Sequence, residues 1–370
     1  MIAGNLADRY DRKVLTIASC LAWTAATLGT GLASSYEEVT SLRILMGLGM
    51  GFTTPAAYTL IRDLFPKSNA GLASSIYGSG VYFGGALASL TILLDLNFGW
   101  RETMFLIAAY GVSVAGLTGY SLPNDPSNDG YANINDDSPE VTKSDDSFVE
   151  SASAVLSSTS VQWLYVASFF RFCSGLSIGV WGASYFKLTF PNDASSYAII
   201  NAVIVGVCGA VSGIIGGAAS DWIALKAADK GFSQNVGRLL VPIVGTLLSI
   251  PAWYYCVNAE TFNASMICLA IEYLVAECWF GPVIATLQSS VGNKGGTAQG
   301  LFTLTGAFAN IAPSALGSIY GSMSGVGGSD SSSTLSSLLS SFVGFGYLIS
   351  AICFIICASS INQGGEQEAS

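Results

Sequence analysis

Long apolar runs separated by short polar breaks dominate the chain from end to end. Ten runs of about 20 residues can be read: Val14 to Ala33, Val39 to Ile61, Gly71 to Leu94, Thr103 to Tyr120, Val161 to Ala183, Tyr197 to Ala219, Leu239 to Val257, Ser265 to Leu287, Leu301 to Tyr320 and Leu335 to Ser359. Each is long enough to cross a hydrocarbon core about 30 Å thick. The runs are about twice the length of barrel strands and lack their period-two alternation, and backbone groups in lipid must be satisfied within the segment. Helices are therefore expected throughout, and the fold class is an all-α polytopic membrane protein.

Composition agrees with this pattern. Half of the residues are hydrophobic (51%) and only 10% are charged, too few to coat a soluble domain. The opening MIAGNLADRYDRK has no apolar core, so no cleaved signal peptide is expected there. All eight cysteines fall in the runs without metal-ligand spacing, and the chain has no His. They read as small core residues, and neither a metal nor a cofactor is expected.

Charge gives an orientation. Counting the breaks alternately, one side carries Arg9, Arg12, Lys13, Arg62, Lys67, Lys143, Lys226, Lys230, Arg238 and Lys294, the other only Arg101 and Lys187. Basic residues stay cytosolic in short loops, so both termini are expected in the cytosol, in a plasma membrane or an endomembrane. The net charge of −10 is concentrated in one break, where Asp125, Asp129, Asp136, Asp137, Glu140, Asp145, Asp146 and Glu150 face only Lys143. Three parts follow: 1–120 as a first bundle with four full spans, 121–158 as an acidic, Ser- and Asn-rich disordered cytosolic linker, and 159–370 as a second, six-span bundle with a short tail.

The two parts look like repeats. GNLAD at Gly4 to Asp8 is echoed by GAASD at Gly217 to Asp221, and the stretch from Pro55 aligns without gaps with that from Pro282, pairing Thr59 with Thr286 and Lys67 with Lys294. Internal repetition of this kind is common in secondary transporters, which place the solute site at the repeat interface.

GNLADRYDRK resembles the loop motif between the second and third helices of the major facilitator superfamily, with Gly4, Leu6, Asp8, Arg9, Arg12 and Lys13 matching and Asp11 standing where a Gly is usual. RILMGLG from Arg43 is similar to that family's Arg-x-x-x-Gly-x-Gly motif, and GWRETMF from Gly99 to the start of its helix 6. The stretches RILMGLGMGFTTPAAYTLIRDLFP and SSIYGSGVYFGGALASL resemble spinster-type members, which carry lysolipids or related amphiphiles. Met50 stands where that group has Glu, and Val81 replaces the Pro of the antiporter signature. The resemblance implies a two-bundle fold of twelve helices, of which this chain holds helices 3 to 12. Helix 1 and most of helix 2 are expected upstream, either because the start is placed too late or because the product is truncated. The first is favoured, since a motif loop left without its first helix has no packing reason to persist.

Four charges lie inside spans: Arg43, Arg171, Glu272 and Glu277. An unpaired charge at the bilayer centre costs at least ~2.5–3.5 kcal/mol on insertion scales, so such residues pair or serve transport. Arg171 and Glu277 sit near the midpoints of spans that the resemblance places around a central cavity, and they are expected to pair with each other or to share a solute. Glu272 is five residues from Glu277, or ~140° around a regular helix, so the two are not expected to face one lumen. Glu277 is also a candidate for proton coupling, because the repeat sets it opposite Met50. Trp181, Tyr185, Phe186, Tyr273, Trp279 and Phe280 are candidate cavity aromatics, against the commoner use of membrane Trp and Tyr in interfacial belts. Gly47, Gly49 and Gly51, Gly80 and Gly84, and Gly209, Gly213 and Gly217 have the spacing of close helix packing.

The resemblance also implies a conformational latch. Asp8, in a turn opened by Gly4, would meet the N-terminus of the helix beginning near Gly295, Arg9 or Arg12 would reach Asp63, and Asp221 is the second-repeat counterpart. The expected function is secondary active transport of a small organic or lysolipid-like amphiphilic solute by alternating access, as a symporter or antiporter. The partners would be the solute, a coupling proton and the bilayer, with a monomer and no nucleic acid. A non-transporting membrane receptor or scaffold, or an inactive truncated product, is the alternative. An enzyme is not expected, since there is no His, no serine elbow and no phosphate loop. Nor is a channel, for want of rings of like charge.

Overall fold

The computed structural model describes residues 12–50, 67–122, 148–291, 294–324 and 331–368. Among these residues every element is helical, and the chain divides into two compact units, Met1–Lys143 and Ser144–Ser370.

The first unit contains α1 (Arg12–Leu32), α2 (Tyr36–Met50), α3 (Lys67–Phe98) and α4 (Trp100–Ser121). α1 packs against both α2 and α4, and α3 leans on α4. The approach of α1 to α4 needs glycine, because a Cβ at Gly111 would overlap the Thr24 hydroxyl. Both ends of this pair are tied, Lys13 donating to the Leu122 carbonyl at 2.7 Å and Arg101 to that of Ala33 at 3.0 Å. α2 starts on a capping box: the Ser35 hydroxyl accepts from the Glu38 amide at 3.2 Å, while the Glu38 carboxylate accepts from the Ser34 amide at 2.7 Å.

The second unit runs α5 (Phe148–Leu156), α6 (Thr159–Thr189), α7 (Ala194–Val203), a π turn (Ile204–Cys208), α8 (Gly209–Asp229), α9 (Gln234–Val257), α10 (Phe262–Ala276), a 3-10 turn (Glu277–Trp279), α11 (Phe280–Val291), α12 (Gly295–Ala309), α13 (Ile311–Ser324) and α14 (Ser331–Glu368). α6 is the axis of this unit and packs on α14, α12 and α13, while α9 joins α14, α10 and α8. Hydroxyls stitch the α6–α14 seam: Ser174 donates to the Val343 carbonyl at 3.1 Å and Ser350 to that of Ala167 at 2.8 Å. In lipid, where apolar contact alone gives no preference for helix over tail, such bonds and small-residue contacts drive association. Large apolar side chains such as Ile214, Phe308 and Phe345 point outward, as a lipid-facing surface requires.

Eight helices of the described residues are long and apolar enough to span a membrane. Two of the ten expected spans fall outside that number for identifiable reasons. The run Val39 to Ile61 is described only as far as Met50. The run Leu301 to Tyr320 breaks at Asn310, because the ring of Pro313 crowds the carbonyl four residues earlier, that of Ala309, and leaves it without an amide donor. The 121–158 linker also differs at its far end. Residues Phe148–Leu156 form α5, which lies against α12 and α6 with Val155 buried in the core. Among the glycines, Gly217, Gly80 and Gly84 face open space and Gly49 touches Ala22, whereas the tight approach of α8 to the 3-10 turn falls one residue earlier, at Gly216.

Candidate functional site

The site begins with a proline. Pro282 has no amide to give to the carbonyl of Cys278, and its ring crowds that carbonyl. The helix therefore tightens into the 3-10 turn Glu277–Trp279 between α10 and α11, whose outer side is clamped by glycines. A Cβ at either Gly216 of α8 or Gly245 of α9 would overlap Cys278.

Arg171 of α6 meets the inner side of this break. Its Nη2 donates to the Ala276 carbonyl at 2.8 Å and lies 3.4 Å from Glu277 Oε1. The guanidinium carbon stands 5.3 Å from the Trp279 ring centroid and 4.8 Å from that of Tyr347 on α14, within cation–π range. The Tyr347 hydroxyl in turn donates to Glu272 at 2.5 Å. The helical-wheel expectation for the two carboxyls is modified accordingly. Both carboxyls connect to Arg171, Glu277 directly and Glu272 through Tyr347.

Exposure separates the three charged groups. The Arg171 side chain is 2% exposed and that of Glu277 28%, while Glu272 is buried at 2%. Arg171 and Glu272 are thus inside the unit, and Glu277 is the group presented outward. Such an arrangement can hold a charge at membrane depth and offer one carboxylate to something that arrives.

Trp181, Tyr185 and Trp279 pack within the unit instead of lining a cavity. Trp181 donates to the Pro313 carbonyl at 2.9 Å, Tyr185 to that of Val257 at 2.9 Å, and Phe186 stacks on Tyr197. Trp279 is buried against Phe172 and Phe302. Tyr273 and Phe186 border a small cavity of about 40 Å³ with Gly182, Tyr197 and Asn201, room for about one water molecule. Phe280, 45% exposed, is the aromatic left uncovered beside Glu277. A wider cleft of about 470 Å³ opens between α1 and α2 beside Gly29, Glu37 and Leu42.

Arg43 belongs to the first unit, where it is exposed and makes no ion pair among the described residues. Of the latch residues, Gly4, Asp8, Arg9 and Asp63 lie outside the described residues, as does the side chain of Arg12. Asp221 is described, and it pairs with Arg238 of α9 at 3.5 Å. Sequence reasoning missed Tyr347 and the Ala276 carbonyl. Pro282 marked a helix break near the second without singling out its carbonyl, and nothing in the sequence marked the first.

The model of the Major Facilitator Superfamily matches residues 1–314. A probable sulfoacetate transporter of Cupriavidus necator is 25% identical over 305 residues, covering 81% of this chain and 70% of that protein. Protein spinster homolog 3 of Danio rerio is 25% identical over 318 residues, covering 81% and 61%. Among solved structures, a bacterial homolog of the human lysosomal transporter spinster, inward-facing and unoccupied, matches with a TM-score of 0.77 at 18% identity, over 97% of this chain and 85% of that one.

Proposed function

The chain belongs to the Major Facilitator Superfamily, and from that premise we propose that it is a secondary active transporter moving a small organic or amphiphilic solute by alternating access. It is a multi-pass integral membrane protein, and the relatives it matches are transporters. The observation that carries the mechanistic part is the pair at the helix break: a buried Arg171 joined to a partly exposed Glu277 at 3.4 Å. Charges this deep are expensive, so a pair with one accessible member suits a site where a solute or a proton competes for the carboxylate.

In this reading Glu277 exchanges Arg171 for the solute or for a coupling proton, and Arg171 keeps its bond to the Ala276 carbonyl as the exchange proceeds. Glu272 and Tyr347 hold Arg171 in place from behind. The chain acts as a monomer with both termini in the cytosol. The latch through Gly4, Asp8, Arg9, Arg12 and Asp63, with Asp221 as its second-repeat counterpart paired to Arg238, is retained as part of the proposal on the resemblance alone.

The reading is tested in proteoliposomes by counterflow of labelled sulfonates, sugar acids, quaternary amines and lysolipids. At least one class should move saturably, and Glu277→Gln should abolish its proton-dependent component or its movement altogether. Full proton-dependent uptake by the Gln variant removes Glu277 from the mechanism. Saturable binding without movement favours the receptor alternative.

A further inference from the structure

We infer that the accessible face of the Arg171–Glu277 cluster recognises an organic cation, an ammonium group carried on an apolar body. The inference rests on the reading of this cluster as the solute site and names the chemistry that it selects.

The guanidinium is buried away from an anion arriving from outside, although its Nε has no hydrogen-bond partner among the described residues. Arg171 is 2% exposed in its side chain, its Nη2 is engaged by the Ala276 carbonyl and by Glu277, and the rings of Trp279 and Tyr347 both stand within 5.3 Å of its guanidinium carbon. An anion approaching from outside would meet Glu277 first. That carboxylate is 28% exposed and makes no hydrogen bond among the described residues besides the 3.4 Å contact to Arg171.

The neighbours of Glu277 fit the same ligand. Phe280 follows Glu277 by three residues, one turn of the 3-10 segment Glu277–Trp279, which sets the ring on the same side as the carboxylate. Phe280 is 45% exposed and is held edge-on to Trp279 at 5.6 Å and to Phe302 at 5.7 Å. A ring face fixed beside a carboxylate attracts ammonium groups, which gain the quadrupole and the charge together, and it rewards an apolar substituent with contact. The sulfoacetate relative is named for an anion, so charge selectivity is where this chain would depart from it.

The test is equilibrium binding of labelled phenyltrimethylammonium, benzenesulfonate and uncharged tert-butylbenzene to the full chain in lipid nanodiscs. These probes share an aromatic body and differ in charge. The expected result is saturable binding of the cation at least about ten-fold tighter than of the sulfonate. Glu277→Gln should remove that preference, Glu277→Asp should restore part of it, and Phe280→Leu should weaken the cation about three-fold while sparing the neutral probe. Preference for the sulfonate, no saturable binding of either ion, or cation binding unchanged in the Gln variant overturns the inference. Counterflow on the same preparations reads the carrier proposal separately, since a chain that binds the cation without moving it fails only that proposal.

Discussion

Tyr347→Phe isolates the link between Glu272 and the rest of the cluster. The substitution removes one hydroxyl and keeps the ring, so the 4.8 Å contact with Arg171 survives while the 2.5 Å bond to Glu272 is lost. Glu272 is 2% exposed and makes no other hydrogen bond among the described residues. A buried polar group left without a partner costs ~1–3 kcal/mol, whereas replacing both partners by apolar groups of similar shape can be nearly neutral. Tyr347→Phe should therefore destabilise the second unit by ~1–3 kcal/mol, and adding Glu272→Met should recover most of that loss, a coupling of ~1–3 kcal/mol. Reversible unfolding in mixed detergent–SDS micelles, followed by tryptophan fluorescence, reads both variants. Stability within ~0.5 kcal/mol of the parent for Tyr347→Phe, with the two substitutions simply additive, would refute the bridge.

Other consequences are equally open to measurement. Pro282→Ala restores an amide donor to the Cys278 carbonyl and should let α10 and α11 run on as one helix, pulling the Ala276 carbonyl away from Arg171; solute flux should fall while the thermal midpoint holds or rises. Gly216→Leu drives a side chain into Cys278 and should cost ~1–3 kcal/mol, while the same change at the open Gly217 should cost little in the same unfolding assay. Outside the spans, hydrogen bonds from the Ser34 amide and hydroxyl hold the Glu38 carboxyl below its usual range. Its capping contribution is thus present above the ordinary Glu pKa of about 4.3 and is lost as the pH falls below it; the protection factor of the Ser34 amide, exchange being corrected for its intrinsic pH dependence, should fall on acidification in the parent and lose that pH dependence in Glu38→Gln.

The spans were legible because bilayer thickness fixes the length of every apolar run, and that signal survives any detail of packing. The helix breaks were less so. A wheel drawn at 3.6 residues per turn assumes an unbroken helix, and Pro282 and Pro313 invalidate it at Glu277 and Asn310. α5 was hidden by composition, since Glu150 and the serines around it read as linker while Val155 is buried in the core. The glycine contact was misplaced by one residue because small residues crowd 209–220 and only the neighbour, Cys278, decides which of them is in contact. Arg171 and Glu277 stood out as charges in lipid. Tyr347 did not, because a tyrosine in a span is ordinary and its partner lies 75 residues away in sequence.

Counterflow in proteoliposomes bears most directly on whether this chain is a carrier. Vesicles loaded with unlabelled solute and diluted into labelled solute should show a transient, saturable overshoot for at least one class of organic solute, and Glu277→Gln, shown to be folded by its fluorescence and thermal midpoint, should lose it. Saturable binding with no overshoot for any class, or an overshoot that the Gln variant reproduces in full, would contradict a transport cycle built on the Arg171–Glu277 pair.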